Sequence, residues 1–222
     1  MSLVTIERHV KAINDRAATD NRARLNESRL CAVNLLSAAG AGKTSLLEST
    51  IEQLQSRLRI AVIAGDTQTD FDARRLSRFN LPVVRVLMHG GCHLDAKLVE
   101  RALDRLDEDP GLEALDLLII ENVDNLRCTV GVDLGEHLRA VVLSTAEGEA
   151  QPFWYPAALN VASALVINKT DLVPFARCDL AALKANALQV NPSLAVFETS
   201  CTSNTGIAEW GDWLARHIKI EG

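Results

Sequence analysis

The sequence predicts a three-layer α/β fold, with a mostly parallel central sheet flanked by helices. Short apolar runs rich in β-forming residues alternate along the chain with patterns of helical period. One apolar run, 31–36, passes directly into a glycine-containing loop and then into a helical pattern. The chain has 222 residues, which suits a single domain with one sizeable core. Ligands of such folds collect at the carboxyl ends of the strands.

The apolar runs and the helical patterns give the expected order of elements. Strands are expected over 31–36, 60–64, 83–87, 115–120, 140–144, 162–167 and 194–198. Helices are expected over 45–57, 73–79, 95–106, 178–189 and 206–218. Residues 1–28 are polar, with apolar Leu3, Ile6, Val10 and Ile13 at helical spacing. We expect an amphipathic N-terminal helix that packs on its own domain, with docking to a partner as the alternative, and a second unit over 29–222.

The composition excludes several classes of protein. Hydrophobic residues make up 48% and charged residues 23%, as in an ordinary water-soluble globular protein. The net charge is −6 and no basic block stands out, so nucleic acid is not an expected partner. No apolar run approaches a membrane span, and the N-terminus lacks a signal-peptide pattern. We expect a cytoplasmic protein without membrane contact, whose five irregularly spaced cysteines form no disulfide framework.

The loop after the first strand has the pattern of a phosphate-binding loop, with Ser37 in place of the first glycine. Gly40 and Gly42 let backbone N–H groups turn toward phosphate oxygens, and the next helix points its positive end at the same anion. Lys43 can reach the β- and γ-phosphates, and Thr44 can bind Mg²⁺. The alternative is a glycine-containing helix cap without a ligand. We expect a three-layer P-loop NTPase domain whose phosphate contacts come from Ser37, Gly40, Ala41, Gly42, Lys43, Thr44 and Ser45.

The end of the sixth expected strand selects the base. Asn168-Lys169-Thr170-Asp171 matches the N-K-x-D pattern. The Asp171 carboxylate can accept two N–H groups from guanine, which adenine does not offer. Asn168 can bridge the base and the phosphate loop, and the stem of Lys169 can cover the purine. The turn at Ser200 and Cys201 is a weaker candidate for a base contact. The expected ligand is therefore GTP or GDP.

Acidic residues at two strand ends are candidates for magnesium and for sensing the γ-phosphate. Asp66 follows the second strand and is the first candidate for Mg²⁺, while Asp70 and Asp72 can instead cap the next helix. Glu121 closes the fourth strand, where it can sense the γ-phosphate; the alternative is a salt-bridged glutamate. No residue has the pattern of a catalytic base, so catalysis is expected from positioning. The expected catalytic residues are Lys43, Thr44, Asp66 and Glu121.

A second metal site is indicated by Cys92 and His93 in a glycine turn after the third strand. Thiolate and imidazole suit zinc or nickel, and a helix start after the turn favours the thiolate. Cys128 lies seven residues past Glu121, beyond a strand expected to neighbour the third. The three side chains can hold one metal with a position open, or a two-fold dimer can share it. Cys31 is expected in the core, Cys178 and Cys201 have no evident metal partner, and the other histidines are expected to be surface or packing residues: His9, His89, His137 and His217.

Four strings occur in the order of a known family: Gly-Gly-Cys-His-Leu-Asp-Ala, Ile-Glu-Asn-Val-x-Asn-Leu-x-Cys, Asp-Leu-Gly-Glu and Asn-Lys-Thr-Asp-Leu-Val-Pro. Over about residues 30–216 the chain resembles the hydrogenase maturation GTPase HypB, of the SIMIBI class of dimerising P-loop proteins. The resemblance implies GTP hydrolysis coupled to nickel delivery into the [NiFe]-hydrogenase large subunit. It implies a homodimer, a zinc-bearing HypA-type companion that contacts the N-terminal region, and Cys92, His93 and Cys128 as metal ligands.

Several positions depart from the family pattern. Asp124 replaces a glycine whose backbone N–H approaches the γ-phosphate, and a carboxylate there repels phosphate. Gln151 and Trp154 replace two lysines, and the phosphate loop differs mildly. Residues 1–28 hold no Cys-x-x-Cys-Gly-Cys motif and no histidine tract, so nickel storage is not expected there.

These departures predict slow hydrolysis and leave two other functions open. One is a GTP-bound protein that stores metal or acts as a scaffold with little turnover. The other is a nickel GTPase for another client, such as urease. The same ligands also leave nickel and zinc open.

Overall fold

A seven-stranded sheet forms the centre of the chain. The computed structural model describes residues 3–66, 75–88 and 91–218, and within these ranges not the side chains of residues 3–9, 66 and 77. The strands are β1 Cys31–Ser37, β2 Ile60–Asp66, β3 Val83–Leu87, β4 Leu117–Glu121, β5 Leu138–Ser144, β6 Ala164–Asn168 and β7 Ala195–Glu198. Their order is β3-β2-β4-β1-β5-β6-β7 and each neighbouring pair is parallel. The three-layer α/β prediction is confirmed.

Helices cover both faces of this sheet. They are α1 Leu3–Glu27, α2 Lys43–Leu54, α3 Ala96–Glu108, α4 Leu126–Thr129, α5 Gln151–Trp154, α6 Pro156–Asn160, α7 Leu180–Val190 and α8 Ile207–His217. The predicted helix at 73–79 is covered only from 75 onward and ends in a 3₁₀ turn, Ser77–Phe79. Asp70 and Asp72, expected as helix caps, lie outside the described residues. The short helices α4, α5 and α6 were not predicted, because four or five residues are too few to show a helical period.

The five central strands are buried on both faces because helices lie on each side, whereas the edge strands β3 and β7 are partly exposed. Along β1, Val33 and Leu35 join the apolar cluster under α2 and α8, while Ala32 and Leu36 pack in clusters on the opposite face. Burying each such aliphatic side chain stabilises the fold by about 1.5–3 kcal/mol. The near-continuous apolar runs of the sequence follow from this double burial.

Helix α1 packs against α3 through a face that differs from the predicted stripe. Ala17, Ala18 and Leu25 are buried, whereas Val10 and Ile13 are 61% and 48% exposed. The buried Asn21 donates from Nδ2 to Ala96 O at 2.8 Å and to Leu134 O at 3.0 Å. Helix α1 thus packs on its own domain, but Val10 and Ile13 of the apolar stripe stay exposed. Other groups make the contact: the buried apolar side chains, the amides of Asn14 and Asn21, and ion pairs from Arg24 to α3.

The order of the sheet places the ligand-binding edge. Strand β1 has β4 on one side and β5 on the other, so successive connections leave in opposite directions and open a crevice beyond their carboxyl ends. The loops after β1, β4 and β6 border this crevice. They carry the phosphate-loop, Glu121 and Asn168 motifs found in the sequence.

The buried amide of Asn21 gives a test of how α1 is attached. Asn21→Ala should lower the free energy of unfolding by about 1–3 kcal/mol, because two buried carbonyls lose their donor. That corresponds to a fall in melting temperature of roughly 2–4 °C per kcal/mol for a chain of this length. Asp20→Ala, at an exposed neighbouring position, is the matched control. Equal stability of the two variants in urea titrations would contradict the proposed attachment.

Candidate nucleotide and metal site

The phosphate loop joins β1 to α2 in a conformation that requires glycine. Gly40 and Gly42 have φ angles of +76° and +91°. A Cβ atom on Gly42 would lie 2.6 Å from Asn168 Nδ2, whereas a Cβ on Gly40 would meet nothing within 4 Å. No side chain caps the N-terminus of α2, so its first N–H groups are available to an anion.

Lys43 is buried at the base of this loop between two carboxylates. Its Nζ lies 3.1 Å from Glu121 Oε1 and 3.0 Å from Asp124 Oδ1. Burial by itself lowers the pKa of Lys43, but the charges of Glu121 and Asp124 overcome it, and the net pKa lies above the ordinary value. Lys43 is therefore a fixed positive charge at the place where phosphate oxygens are expected.

Glu121 and Thr44 bring together oxygen ligands of the kind that Mg²⁺ prefers. Thr44 Oγ1 donates to Glu121 Oε1 at 2.7 Å, and the Glu121 residue is 2% exposed. Glu121 forms the salt bridge with Lys43 that was the alternative expected from the sequence. It also faces the phosphate loop through Thr44, so contact with the γ-phosphate stays a prediction. Asp66 ends β2 at the same edge of the sheet, and its side chain lies outside the described atoms. The hydroxyl and carboxylate present fit a magnesium ion.

Asp124 is bound directly to the phosphate loop. Its Oδ1 accepts a hydrogen bond of 2.6 Å from Ser37 Oγ in addition to the ion pair with Lys43. The Asp124 side chain is 48% exposed, in contrast to 3% for that of Glu121. The sequence predicted repulsion between this carboxylate and phosphate. The structure adds that the carboxylate already binds Ser37 and Lys43, two residues predicted to contact phosphate.

The expected base-binding residues other than the buried Ser200 border one cavity of about 530 Å³. Asn168 Nδ2 donates to Ala41 O at 3.0 Å, which ties β6 to the phosphate loop. Lys169 extends its stem along the cavity and its Nζ donates to Gly40 O at 2.7 Å. Ser200 Oγ donates to Asp171 Oδ1 at 2.6 Å and so orients the carboxylate. Further lining residues are Gly42, Ser45 and Cys201.

The predicted metal ligands approach one another without completing a site. Cys92 Sγ lies 3.4 Å from His93 Nδ1. A hydrogen bond with the Cys128 thiol raises the pKa of Cys92 above its usual value. Among the described residues, no group of three or more Cys, His, Asp and Glu side chains is arranged to hold a metal.

Two expectations about this loop are wrong. Cys92 does not gain the lowered pKa expected from a helix start, because α3 begins only at Ala96, where the Asp95 carboxylate caps it. Strands β3 and β4 are also not neighbours, since β2 separates them. The loops still meet because Leu94 packs over the end of β2 at Gly65, where a Cβ would lie 2.9 Å from Leu94 Cγ.

Two asparagines hold in place the metal loops, the loop after β3 with Cys92 and His93 and the loop after β4 that leads to Cys128. Neither asparagine was singled out from the sequence. Asn122 Oδ1 accepts from Leu94 N at 3.3 Å and from Val123 N at 2.9 Å, so it joins the loop after β3 to the loop after β4. Asn125 caps α4 and its Nδ2 donates to Cys128 Sγ at 3.1 Å. Their positions within the Ile-Glu-Asn-Val-x-Asn string were the available signal.

The remaining cysteines and histidines have structural surroundings. All five cysteines are free thiols. Cys31 lies in the core, and burial raises its pKa to about 11. Cys201 Sγ contacts Asn168 Oδ1 at 3.5 Å. His137 accepts from Ala32 N at 3.0 Å through Nδ1, and His217 contacts Trp213 O. The His89 residue and the His9 side chain lie outside the described part of the chain.

The fold and the phosphate-loop geometry define a P-loop nucleotide-binding protein. The sequence pattern of the CobW/HypB/UreG nucleotide-binding domain matches residues 31–198. The hydrogenase maturation factor HypB of Azotobacter vinelandii is 44% identical over 214 residues, which cover 96% of this chain and 69% of that protein. The chain belongs to the CobW/HypB/UreG family, within its HypB branch.

Solved structures give the same assignment. The chain is similar to HypB from Archaeoglobus fulgidus, with a TM-score of 0.86 and 36% identity, covering 94% of this chain and 100% of that one. It is similar also to HypB from Helicobacter pylori in complex with nickel, with a TM-score of 0.86 and 30% identity, covering 91% and 94% of the two chains. No described helix is long and apolar enough to cross a membrane.

The two glycines of the phosphate loop form a matched pair for mutation. Each alanine substitution meets the cost of a positive φ, about 1–2 kcal/mol, but only Gly42→Ala also collides with Asn168. GDP affinity should fall at least about tenfold further in Gly42→Ala than in Gly40→Ala, measured by calorimetry on folded protein. Equal losses in the two variants would show that the contact with Asn168 does not shape the loop.

Proposed function

We propose that this protein is a GTP-hydrolysing metallochaperone, in which nucleotide state controls nickel delivery during [NiFe]-hydrogenase maturation. The proposal rests on the contacts at the two ends of the segment 121–128. At one end Glu121 contacts Lys43 and Thr44 of the phosphate loop, and at the other end Cys128 contacts Cys92. The names of the relatives, a hydrogenase maturation factor and a HypB in complex with nickel, support the choice of pathway and metal.

The nucleotide-binding step uses the groups at the carboxyl edge of the sheet. The phosphates of GTP bind at the N–H groups of the loop and at Lys43, and the guanine enters the cavity beside Asp171. Thr44 and Asp66 would hold Mg²⁺, which neutralises charge on the phosphates when bound. Glu121 is close enough to Thr44 to respond to the presence of that ion.

Hydrolysis follows from positioning and electrostatics, with water as the nucleophile. No histidine or free carboxylate among the described residues lies at the phosphate loop in the place of a general base, and Glu121 and Asp124 are both paired with Lys43. Turnover is proposed to be slow because Asp124 competes for Lys43 and because Gln151 and Trp154 replace two lysines of the family pattern. The rival proposal, a GTP-binding scaffold or metal store without useful turnover, is favoured by one observation, the contact of Asp124 with Lys43.

Nickel is the cargo, and Cys92, His93 and Cys128 are its ligands. Two thiols and an imidazole suit Ni²⁺, and zinc competes for the same set. The proposed assembly is a homodimer in which two sets of these ligands meet; Cys92 and His93, 3.4 Å apart, supply part of one set. A HypA-type companion and the hydrogenase large subunit are the proposed partners, in the cytoplasm.

Movement of the segment 121–128 couples the two sites. Asn122 links this segment to Leu94, so a shift at Glu121 reaches both metal loops. When nucleotide state changes nickel affinity, nickel must change the relative affinity for GTP and GDP by the same factor. A bistable segment that contacts both ligands is the physical requirement for such coupling.

Substitution of one metal ligand tests whether the two sites are separate. Cys92→Ala should weaken nickel binding at least about tenfold, because a thiolate ligand is lost, while the affinity for GTP stays within about twofold. Cys178→Ala is the matched control, since it removes another thiol, a partly buried one that does not line the nucleotide cavity. Calorimetry with nickel and with a GTP analogue gives both numbers. An equal fall in the affinities for nickel and for the GTP analogue in Cys92→Ala would show that the two sites are not separate.

A further inference from the structure

The phosphate loop already holds an anion that belongs to the protein. The Asp124 carboxylate lies 3.0 Å from Lys43 Nζ and 2.6 Å from Ser37 Oγ. These two donors belong to the first and the seventh positions of the loop Ser37–Thr44, so the carboxylate bridges the two ends of the loop. A carboxylate oxygen and a phosphate oxygen accept the same hydrogen bonds, and both are attracted to an ammonium group.

The two carboxylates on Lys43 differ in their freedom to move. The Glu121 side chain is 3% exposed and also accepts from Thr44, so it is fixed from two sides. The Asp124 side chain is 48% exposed and lies in a loop between β4 and α4. An incoming anion that needs Lys43 therefore displaces Asp124 before it displaces Glu121. Leaving both carboxylates in place beside a third anion would cost Coulomb energy in a buried setting.

We propose that Asp124 makes the phosphate loop select a nucleoside diphosphate over a triphosphate. This inference rests on the proposed binding of guanine nucleotides. The α- and β-phosphates bind at the backbone N–H groups of the loop and the start of α2, which Asp124 leaves open. Lys43 can reach both the β- and the γ-phosphate, but the γ-phosphate lies beyond the N–H groups of the loop and depends on Lys43, where the Asp124 carboxylate competes with it. GDP binds with the contacts of Asp124 intact, and GTP binds only after they break.

The displaced residue is joined to the metal loop. Asp124 precedes Asn125, whose side chain accepts from the N–H groups of Arg127 and Cys128 and donates to Cys128 Sγ. Movement of Asp124 away from Ser37 and Lys43 thus moves Asn125, which orients Cys128. The triphosphate alone requires this movement, so the two nucleotides differ in what they do to the metal ligand.

The experiment compares GDP with a non-hydrolysable GTP analogue on the full chain. Calorimetry at fixed Mg²⁺ and fixed salt gives both dissociation constants for wild type, Asp124→Asn and Asp124→Gly, because ion-pair strength depends on salt. Asp124→Asn keeps the shape and removes the charge, and Asp124→Gly removes the side chain. Glu147→Gln is the control, since it removes one exposed carboxylate elsewhere. Thermal unfolding confirms that each variant is folded.

We expect wild type to bind GDP more tightly than the analogue. In both Asp124 variants the affinity for the analogue should rise at least about tenfold over wild type, which is the scale of a charged hydrogen bond. The affinity for GDP should change less than about threefold. Glu147→Gln should leave both unchanged. Unchanged or weaker analogue binding in the variants, or equal tightening of GDP, overturns the inference while guanine binding stands. Failure of wild type to bind either nucleotide overturns the proposed function, and the inference with it.

Discussion

The buried ion pair between Lys43 and Glu121 holds the two halves of the candidate site together. One partner begins α2 and the other ends β4, and the pair joins these elements 3.1 Å apart. Removing one partner of such a pair leaves an uncompensated buried charge, which costs about 3–5 kcal/mol. Two other functional groups meet at this contact. Thr44 shares the same carboxylate oxygen, and Asp124 shares the same ammonium group.

From this pair the chain leads to the metal ligands through buried polar contacts. Asn122 is 1% exposed and joins the loops that carry Cys92 and Cys128, and Asn125 then orients Cys128. An unpaired buried amide is costly, so each asparagine restricts the backbone around it to a few arrangements. The proposed coupling between nucleotide and metal therefore has a short physical route, and it requires a second arrangement of the segment 121–128.

The sequence predicted the parts of this protein that depend on local pattern. Strand 83–87 was predicted to the residue, and the phosphate loop followed from its glycines and Lys43. The order of the sheet was beyond reach, because side-chain pattern does not say that β2 lies between β3 and β4. The contact of Ser37 with Asp124 joins residues far apart in the chain, so no spacing predicts it. The exposure of Val10 and Ile13 likewise depends on where α3 lies.

Nickel titration of the protein in two nucleotide states tests the central claim most directly. Purified protein is loaded with GDP or with a non-hydrolysable GTP analogue, and nickel affinity and stoichiometry are measured by equilibrium dialysis, with Cys92→Ala as the control for the site. Coupling through the segment 121–128 predicts that the two states differ, by about 5–150-fold if the effect lies in affinity. Identical nickel binding in the two states would contradict the account and leave a nucleotide-binding protein whose metal ligands act independently.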